Sequence, residues 1–198
     1  MKAAITLFGE RGYESTSIST LAKTAGIGKG TIYSYFSSKN EILLAFCEEE
    51  LTFIHKEIKD KLDPNAPLAE KMLLVFMSEF RFVTKNKDFG RTLLRELTFP
   101  KEITIEKSRM IEERFLNLFV NIFKEAQKKG QLRRDIELII TGGHFYGLYL
   151  IVLSAWYSGR LHTEEDVSES LELMIDQALT GLIPQKTPAH ATNQKNGS

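Results

Sequence analysis

Between Ser17 and Phe36 the chain carries Ala22, then Gly26 four positions later, then Ile32 six positions beyond that. A small residue lets two short helices cross closely, a glycine accepts a left-handed turn between them, and an apolar residue anchors the second helix. That is the spacing of a helix-turn-helix, whose chemistry is recognition of duplex DNA. The charges agree. From Ser15 to Asn40 there is no Asp or Glu, while Lys23, Lys29, Lys39 and many hydroxyls are present. A surface lying on phosphates needs this composition, because every carboxylate there would be repelled. Residues 1–46 hold Lys2, Arg11, Lys23, Lys29 and Lys39 against Glu10, Glu14 and Glu41, a net +2. The whole chain is neutral, so the remainder is −2 and mildly acidic.

Other chemistries lack their residues. There is no Gly-x-Ser-x-Gly, His-Glu-x-x-His, phosphate-binding loop or dinucleotide fingerprint,. The four histidines (His55, His144, His162 and His190) show no metal-ligand spacing, and Cys47 is the only cysteine,. Glu48-Glu49-Glu50 reads as a solvated helix stretch rather than a placed acid–base pair. No enzyme activity, cofactor or metal is therefore expected. The opening residues reach Glu10 and Arg11 too soon for a secretory segment, which points to a cytoplasmic protein,.

Helices must position these residues, since helical periodicity runs throughout and strand alternation is nearly absent; the fold class is all-α. A short apolar face of Ala4, Leu7 and Phe8 stops at Gly12, and Ser17 caps a segment from Ile18 to Thr24,. A third short helix passes through Thr31-Ile32-Tyr33. Ser37 or Ser38, with Glu41 near the capping-box position, starts a long fourth helix that stops before Pro64,. Further helices are expected over Leu68–Asn86, Phe89–Leu97 (closed by Phe99-Pro100), Ile105–Lys129, Asp135–Gly159 and from Thr163 to about Leu182,. The apolar stretch Ile136–Tyr157 approaches the roughly 20 residues of a spanning helix. Glu137, His144, three glycines and Ser154 interrupt it, so it is read as a buried helix with no membrane partner. The organisation expected is a DNA-binding head over residues 1–46, a helical body over 47–183 and a disordered tail over 184–198.

Leu7-Phe8-Gly9-Glu10-Arg11-Gly12-Tyr13, then Thr16-Ser17-Ile18 and Leu21-Ala22, resemble the opening of the tetracycline-repressor (TetR) family. Ala25-Gly26-Ile27-Gly28-Lys29-Gly30-Thr31-Ile32-Tyr33-Ser34-Tyr35-Phe36, continuing into Ser38-Lys39, resembles its recognition-helix signature. The likeness implies that Lys29, Gly30 and Thr31 open the recognition helix and face base edges or phosphates. It implies that Tyr33 and Tyr35 sit on its groove side as hydroxyl donors, and that Lys39, Thr16 and Ser17 contact phosphate. Thr16 and Ser17 also suit helix caps, and Phe36 suits the core. Two departures stand out: the sequence starts almost at the Ala3-Ala4 match, so minor-groove contacts from a basic arm are not expected, and Gly28 stands where the family often has a Ser or Thr cap. A Gly cap is only a few tenths of a kcal/mol poorer.

In the body, Gly143, Gly147 and Ser154 fall on one side of the apolar helix and leave a groove for another helix. With Leu171 and Ile175 on the last helix they are the expected homodimer interface, a four-helix bundle of two helices per subunit, as in the resembled family. Such a two-fold protein reads a near-palindromic operator in double-stranded DNA. Phe76, Phe80, Phe115, Phe119, His144 and Tyr149 are the candidate lining of a site for a small hydrophobic ligand, although each also suits an ordinary core position. The reading is a ligand-responsive transcriptional repressor. The alternative is a helical protein-interaction module without sequence-specific DNA binding.

Overall fold

The computed structural model describes residues 1–98 and 105–181, and within these the side chains other than those of residues 105–109, 111 and 112. Phe99-Pro100, Leu182 and the tail over 184–198 lie outside them. Among the described residues there are nine helices and no strand: α1 (Lys2–Arg11), α2 (Ile18–Ala25), α3 (Lys29–Tyr35), α4 (Lys39–Lys61), α5 (Leu68–Val83), α6 (Lys87–Thr98), α7 (Ile105–Lys128), α8 (Leu138–Tyr157) and α9 (Glu164–Thr180).

Local chemistry sets most of the boundaries. Gly12, at φ 79°, ends α1, and Gly26, at φ 68°, ends α2 in the left-handed region, where its amide donates back to the Ala22 and Lys23 carbonyls,. Ser17 caps α2 by accepting from the Thr20 amide. Ser38, the second of the two serine candidates, caps α4 by accepting from the Glu41 amide, while the Glu41 carboxylate accepts from Ser37 N–H at 2.6 Å. Thr163 and Asp166 close a capping box on α9,. α8 is shorter than expected at both ends, Leu138–Tyr157 rather than Asp135–Gly159, and α5 ends at Val83 rather than Asn86. Asn86 caps the next helix instead, its side-chain oxygen accepting from the Phe89 amide at 2.9 Å, so α6 begins at Lys87.

Head and body share one hydrophobic core. The boundary expected at residue 46 falls inside α4, which runs unbroken from the head into the body. α1 lies along α6, α4 along α5, and α8 packs between α7 and α9. At the first of these seams Phe8 stacks with Phe89 at 6.4 Å, and Phe89 meets Phe46 edge-on at 4.7 Å, so α1, α6 and α4 are tied by aromatic contacts,. Thr92 on α6 adds a hydroxyl bond to the Phe8 carbonyl at 3.3 Å. α8 is long and apolar enough to cross a membrane by length and composition alone. Here Phe145, Tyr149, Val152, Leu153 and Tyr157 bury one of its faces in the protein core.

Gly90 is where α6 comes closest to its surroundings. A Cβ placed there would collide with the Tyr157 hydroxyl of α8 and with the backbone carbonyl of Val83. Replacing a mid-helix glycine by alanine ordinarily gains about 0.5–1 kcal/mol. Backbone cannot step aside cheaply, so overpacking of about 1–3 kcal/mol decides the sign. Gly90→Ala is therefore expected to lower the denaturation midpoint; an unchanged or raised midpoint in urea would show that this seam is loose.

Candidate DNA-reading head and ligand chamber

The helix-turn-helix forms as its spacing requires. Ala22 is buried at the crossing, Gly26 turns the chain, the Ile27 amide returns to the Ala22 carbonyl at 3.1 Å, and Ile32 is buried beneath α3. What α3 leaves outside is unusual for a soluble surface. Tyr35 is 75% exposed, Tyr33 49% and Ile27 45%, with Lys29 and Thr31 exposed beside them. Lys29 lies over the Tyr33 ring at 5.7 Å, and Ser34 turns its hydroxyl back to the Thr31 carbonyl. Gly28 and Gly30 keep the first turn of α3 open, and no side chain caps it. Exposed amides at a helix start, hydroxyls and ammonium groups are the usual ligands of phosphate and base edges.

Two expected phosphate ligands are engaged internally. Thr16 is buried, and its hydroxyl donates to the Gly12 carbonyl at 2.8 Å and the Leu7 carbonyl at 3.2 Å. Its side chain braces the corner between α1 and α2 and does not reach the surface, which corrects the sequence expectation for it. Lys39 donates to the Tyr13 carbonyl at 2.7 Å and the Glu14 carbonyl at 3.3 Å, and sits 4.5 Å over the Tyr13 ring. Its first task is to tie that corner to the start of α4. Ser17, Lys29, Gly30, Thr31, Tyr33 and Tyr35 stand exposed on one acid-free stretch of chain.

The body encloses an aromatic interior. Phe76 stacks on Tyr149 at 5.1 Å and 10°, and leans on Phe119; Phe80 meets Trp156 edge-on; Phe115 is half-buried against Phe119 and Tyr146. Of the six candidate lining residues, Phe76, Phe80, Phe119 and Tyr149 meet there with Phe115 at the margin. His144 does not join them. It is exposed on the outer side of α8, touching only the edge of Phe145 among aromatic rings, so an interior contact for it is corrected.

Set into this apolar interior, beside the expected Tyr149, are polar groups that the residue pattern placed in solvent or left unnamed. Glu48 and Glu49 are exposed, but Glu50 is only 7% exposed and Glu79 6%. One oxygen of each carboxyl, and the hydroxyls of Tyr149 and Tyr157, are buried without a hydrogen-bond partner. Burial pushes the Glu50 carboxyl up to about 8. Burial first, and the Glu50 charge second, hold Glu79 well above the usual carboxylate range. Burial followed by the charges of these two glutamates also raises the Tyr149 hydroxyl and the Cys47 thiol, so the four groups sense one another,. Helical spacing marks the pair in retrospect. Glu50 lies on the stripe Leu43, Cys47, Glu50, Ile54, and Glu79 on Met72, Phe76, Glu79, Val83, whose other members are all buried and, the thiol aside, apolar.

α8 presents a second face outward, with Ile139, Ile140 and Ile151 exposed beside Gly143 and Ser154, and open space over Gly143 and Gly147. Leu171 and Ile175 are fully buried against their own subunit and cannot meet a partner, which corrects their assignment to an interface. Leu173, 60% exposed, is the large apolar residue that α9 turns outward.

Residues 1–46, the whole helix-turn-helix and its approach, match the family model described as bacterial regulatory proteins, tetR family. The head therefore resembles the DNA-binding heads of that family. A fatty acid metabolism regulator protein of Bacillus subtilis is 24% identical over 154 residues, spanning 78% of this chain and 79% of the relative. The crystal structure of the regulator FadR from Bacillus subtilis with stearoyl-CoA superposes at a TM-score of 0.76, with 24% identity over 91% of this chain and 96% of that one. Thermus thermophilus FadR, a repressor solved with lauroyl-CoA, gives 0.70, with 26% identity over 95% of each chain. The likeness in fold to these regulators thus extends through the body, well beyond the matched head.

Two measurements follow from this geometry. Tyr35 packs on nothing that holds the fold together, so Tyr35→Ala is expected to keep the thermal midpoint and to weaken operator binding roughly tenfold, the worth of a hydrogen bond to a charged group. Equal binding by the variant would remove Tyr35 from the reading surface. Glu50 has its folded value raised from 4.5 to about 8, so the folded protein holds a proton that the unfolded chain releases. Its contribution to stability is complete below the unfolded value and is lost as pH rises through the folded one. The midpoint of ligand-free protein should fall as pH rises from about 4.5 to about 8, and Glu50→Gln should flatten the profile,. A flat wild-type profile would mean that the carboxyl is solvated.

Proposed function

We propose that this chain is a ligand-responsive transcriptional repressor. As a homodimer it holds a near-palindromic operator with two copies of α3, and it lets go when a small molecule with a large apolar part occupies the body. The observation that carries the reading is the pairing of an acid-free head, whose recognition helix turns Tyr33 and Tyr35 outward, with an aromatic interior reached by the same α4. Ser17, Lys29, Gly30, Thr31, Tyr33 and Tyr35 are the DNA-facing residues; Lys39 contributes its charge at the edge. The apolar outer face of α8, over Gly143, Gly147, Ile151 and Ser154, is the surface on which two subunits meet, joined by Leu173 of α9. Packing α8 against its copy covers apolar area that a lone subunit would leave in water. The protein is not an enzyme, and acts in the cytoplasm where its DNA is.

The relatives solved with stearoyl-CoA and lauroyl-CoA make acyl thioesters the first ligands to assay. Phe76, Phe80, Phe119 and Tyr149, with Phe115 at the margin, are the side chains an apolar ligand would displace or lie against. Two ligands shift such an equilibrium only as far as they prefer one state, so an inducer must bind the DNA-free form more tightly.

Fluorescence anisotropy with labelled duplexes from the region upstream of the gene and a scrambled control, across a salt series, tests the reading. Tight binding to one upstream fragment that weakens with salt is expected, because each phosphate contact releases counterions. Lys29→Ala should lower the salt slope by about one unit. Absence of binding at low salt would reject the repressor reading and favour the interaction module.

A further inference from the structure

The interior that an apolar ligand would enter is not wholly apolar. Glu50 comes from α4, Glu79 from α5 and Tyr149 from α8, and each has a polar atom buried without a hydrogen-bond partner. Among the described residues neither carboxyl has an ion-pair partner, and no three side chains are grouped to hold a metal ion. Buried polar atoms in folded proteins are nearly always satisfied, so a concentration of unsatisfied ones at one place marks a site whose partner comes from elsewhere.

We propose that Glu50, Glu79 and Tyr149 form the inner, polar end of the ligand site, and that it receives a protonated amine carried on an apolar skeleton. The chemistry of the donor set selects this class. Two buried carboxyls on packed helices, close enough for the charge of one to act on the other, cannot both ionise unaided, and as a pair they keep at least one proton,. A single positive charge with several N–H donors compensates the pair, satisfies an oxygen of each carboxyl and gives the Tyr149 hydroxyl an acidic neighbour to bond. Around them Phe76, stacked on Tyr149, and Phe119 beyond it offer the apolar wall against which the skeleton lies, and aromatic faces attract a cation as well,. The buried end of a plain acyl chain would satisfy none of these atoms, whereas the ammonium group does.

The same placement gives occupancy a route to the head. Glu50 sits on α4, three turns along from Lys39, whose ammonium holds the Tyr13 and Glu14 carbonyls at the corner of the head. The Glu50 charge also reaches Tyr157, whose hydroxyl lies against Gly90 of α6. α6 in turn holds α1 through Thr92 and the Phe8 carbonyl. A cation between α4 and α5 therefore acts on both helices that carry the head. The titratable groups facing the pair are Cys47 on α4, Tyr149 and Tyr157 on α8, and, against Tyr157, Arg91 of α6.

The proposal rests on the body being a ligand chamber, and its test reads binding directly, without DNA. Trp156 is the only tryptophan in the chain and stands edge-on to Phe80, the residue after Glu79, so its fluorescence reports on this interior. Full-length protein is titrated with dodecylamine, dodecanol and lauroyl-CoA, by Trp156 fluorescence and by calorimetry in two buffers of different ionisation heat. Dodecylamine should bind about tenfold tighter than dodecanol or more, as expected for charge-assisted over neutral hydrogen bonding. It should release a proton from the carboxyl pair, and bind more tightly as pH rises from about 6 to 8. Glu79→Gln and, independently, Tyr149→Phe should each weaken the amine about tenfold and leave dodecanol within a factor of about three. Tyr149→Phe removes one oxygen and keeps the ring stack, so it tests the site even if Glu79→Gln fails to fold. Equal affinity for amine and alcohol, lauroyl-CoA binding without the amine, or variants that bind the amine as wild type does would each overturn the proposal. Amine binding that leaves the operator complex intact would reject the repressor reading alone.

Discussion

The close seam of α1 on α6, with α4 beside it, is the constraint on which the rest depends. Phe8, Phe89 and Phe46 link the three helices in sequence, and Gly90 allows α6 to lie where any side chain would strike Tyr157 and the Val83 carbonyl. A head of three short helices has too little interior to be stable by itself. It becomes stable here by sharing one core with the body. The price of that economy is independence: the head cannot shift without α6 and α4 moving too. A regulator needs just this, because a recognition helix indifferent to its body could not report what the body holds.

The body shows the opposite tendency. Its aromatic rings pack well, yet Glu50, Glu79, Tyr149 and Tyr157 bring unsatisfied polar atoms into the same interior. An apolar residue of similar size at either glutamate would make a more stable protein, since an unpartnered buried polar group costs about 1–3 kcal/mol. Functional sites are where folded proteins carry such costs. The placement also matters electrically. The carboxyls are held largely protonated by burial and by one another, so whatever compensates their charge changes the forces between α4 and α5.

Two surfaces of the molecule carry complementary logic. The outer face of α3 excludes carboxylates and exposes tyrosines, which suits a highly charged, wet partner. The outer face of α8 exposes isoleucines over open glycines, which suits a dry and close one,. Between them runs the single core, so the spacing of two DNA-reading heads in a dimer follows from how α8 meets its copy and how α4 and α6 lean on it.

Much of this was legible in the residues alone. Ala22, Gly26 and Ile32 determined the helix-turn-helix, because a crossing, a left-handed turn and an anchor are local demands met by residue type and spacing. Caps at Ser17, Ser38 and Thr163 and stops at Gly12 and Gly26 set the helix limits for the same local reason. Tertiary structure decided which face of each helix became inside. Thr16 turned inward to the Gly12 and Leu7 carbonyls, His144 fell outside, Leu171 and Ile175 were buried within the subunit, and Glu50 left its solvated neighbours for the core. Composition could not settle these, because a threonine, a histidine or a glutamate takes either side according to what the neighbouring helix offers. Periodicity could have placed Glu50 and Glu79 on buried stripes. That both lie in one interior where the charge of one acts on the other depends on the packing of α4 on α5, two helices whose relative rotation no single segment encodes.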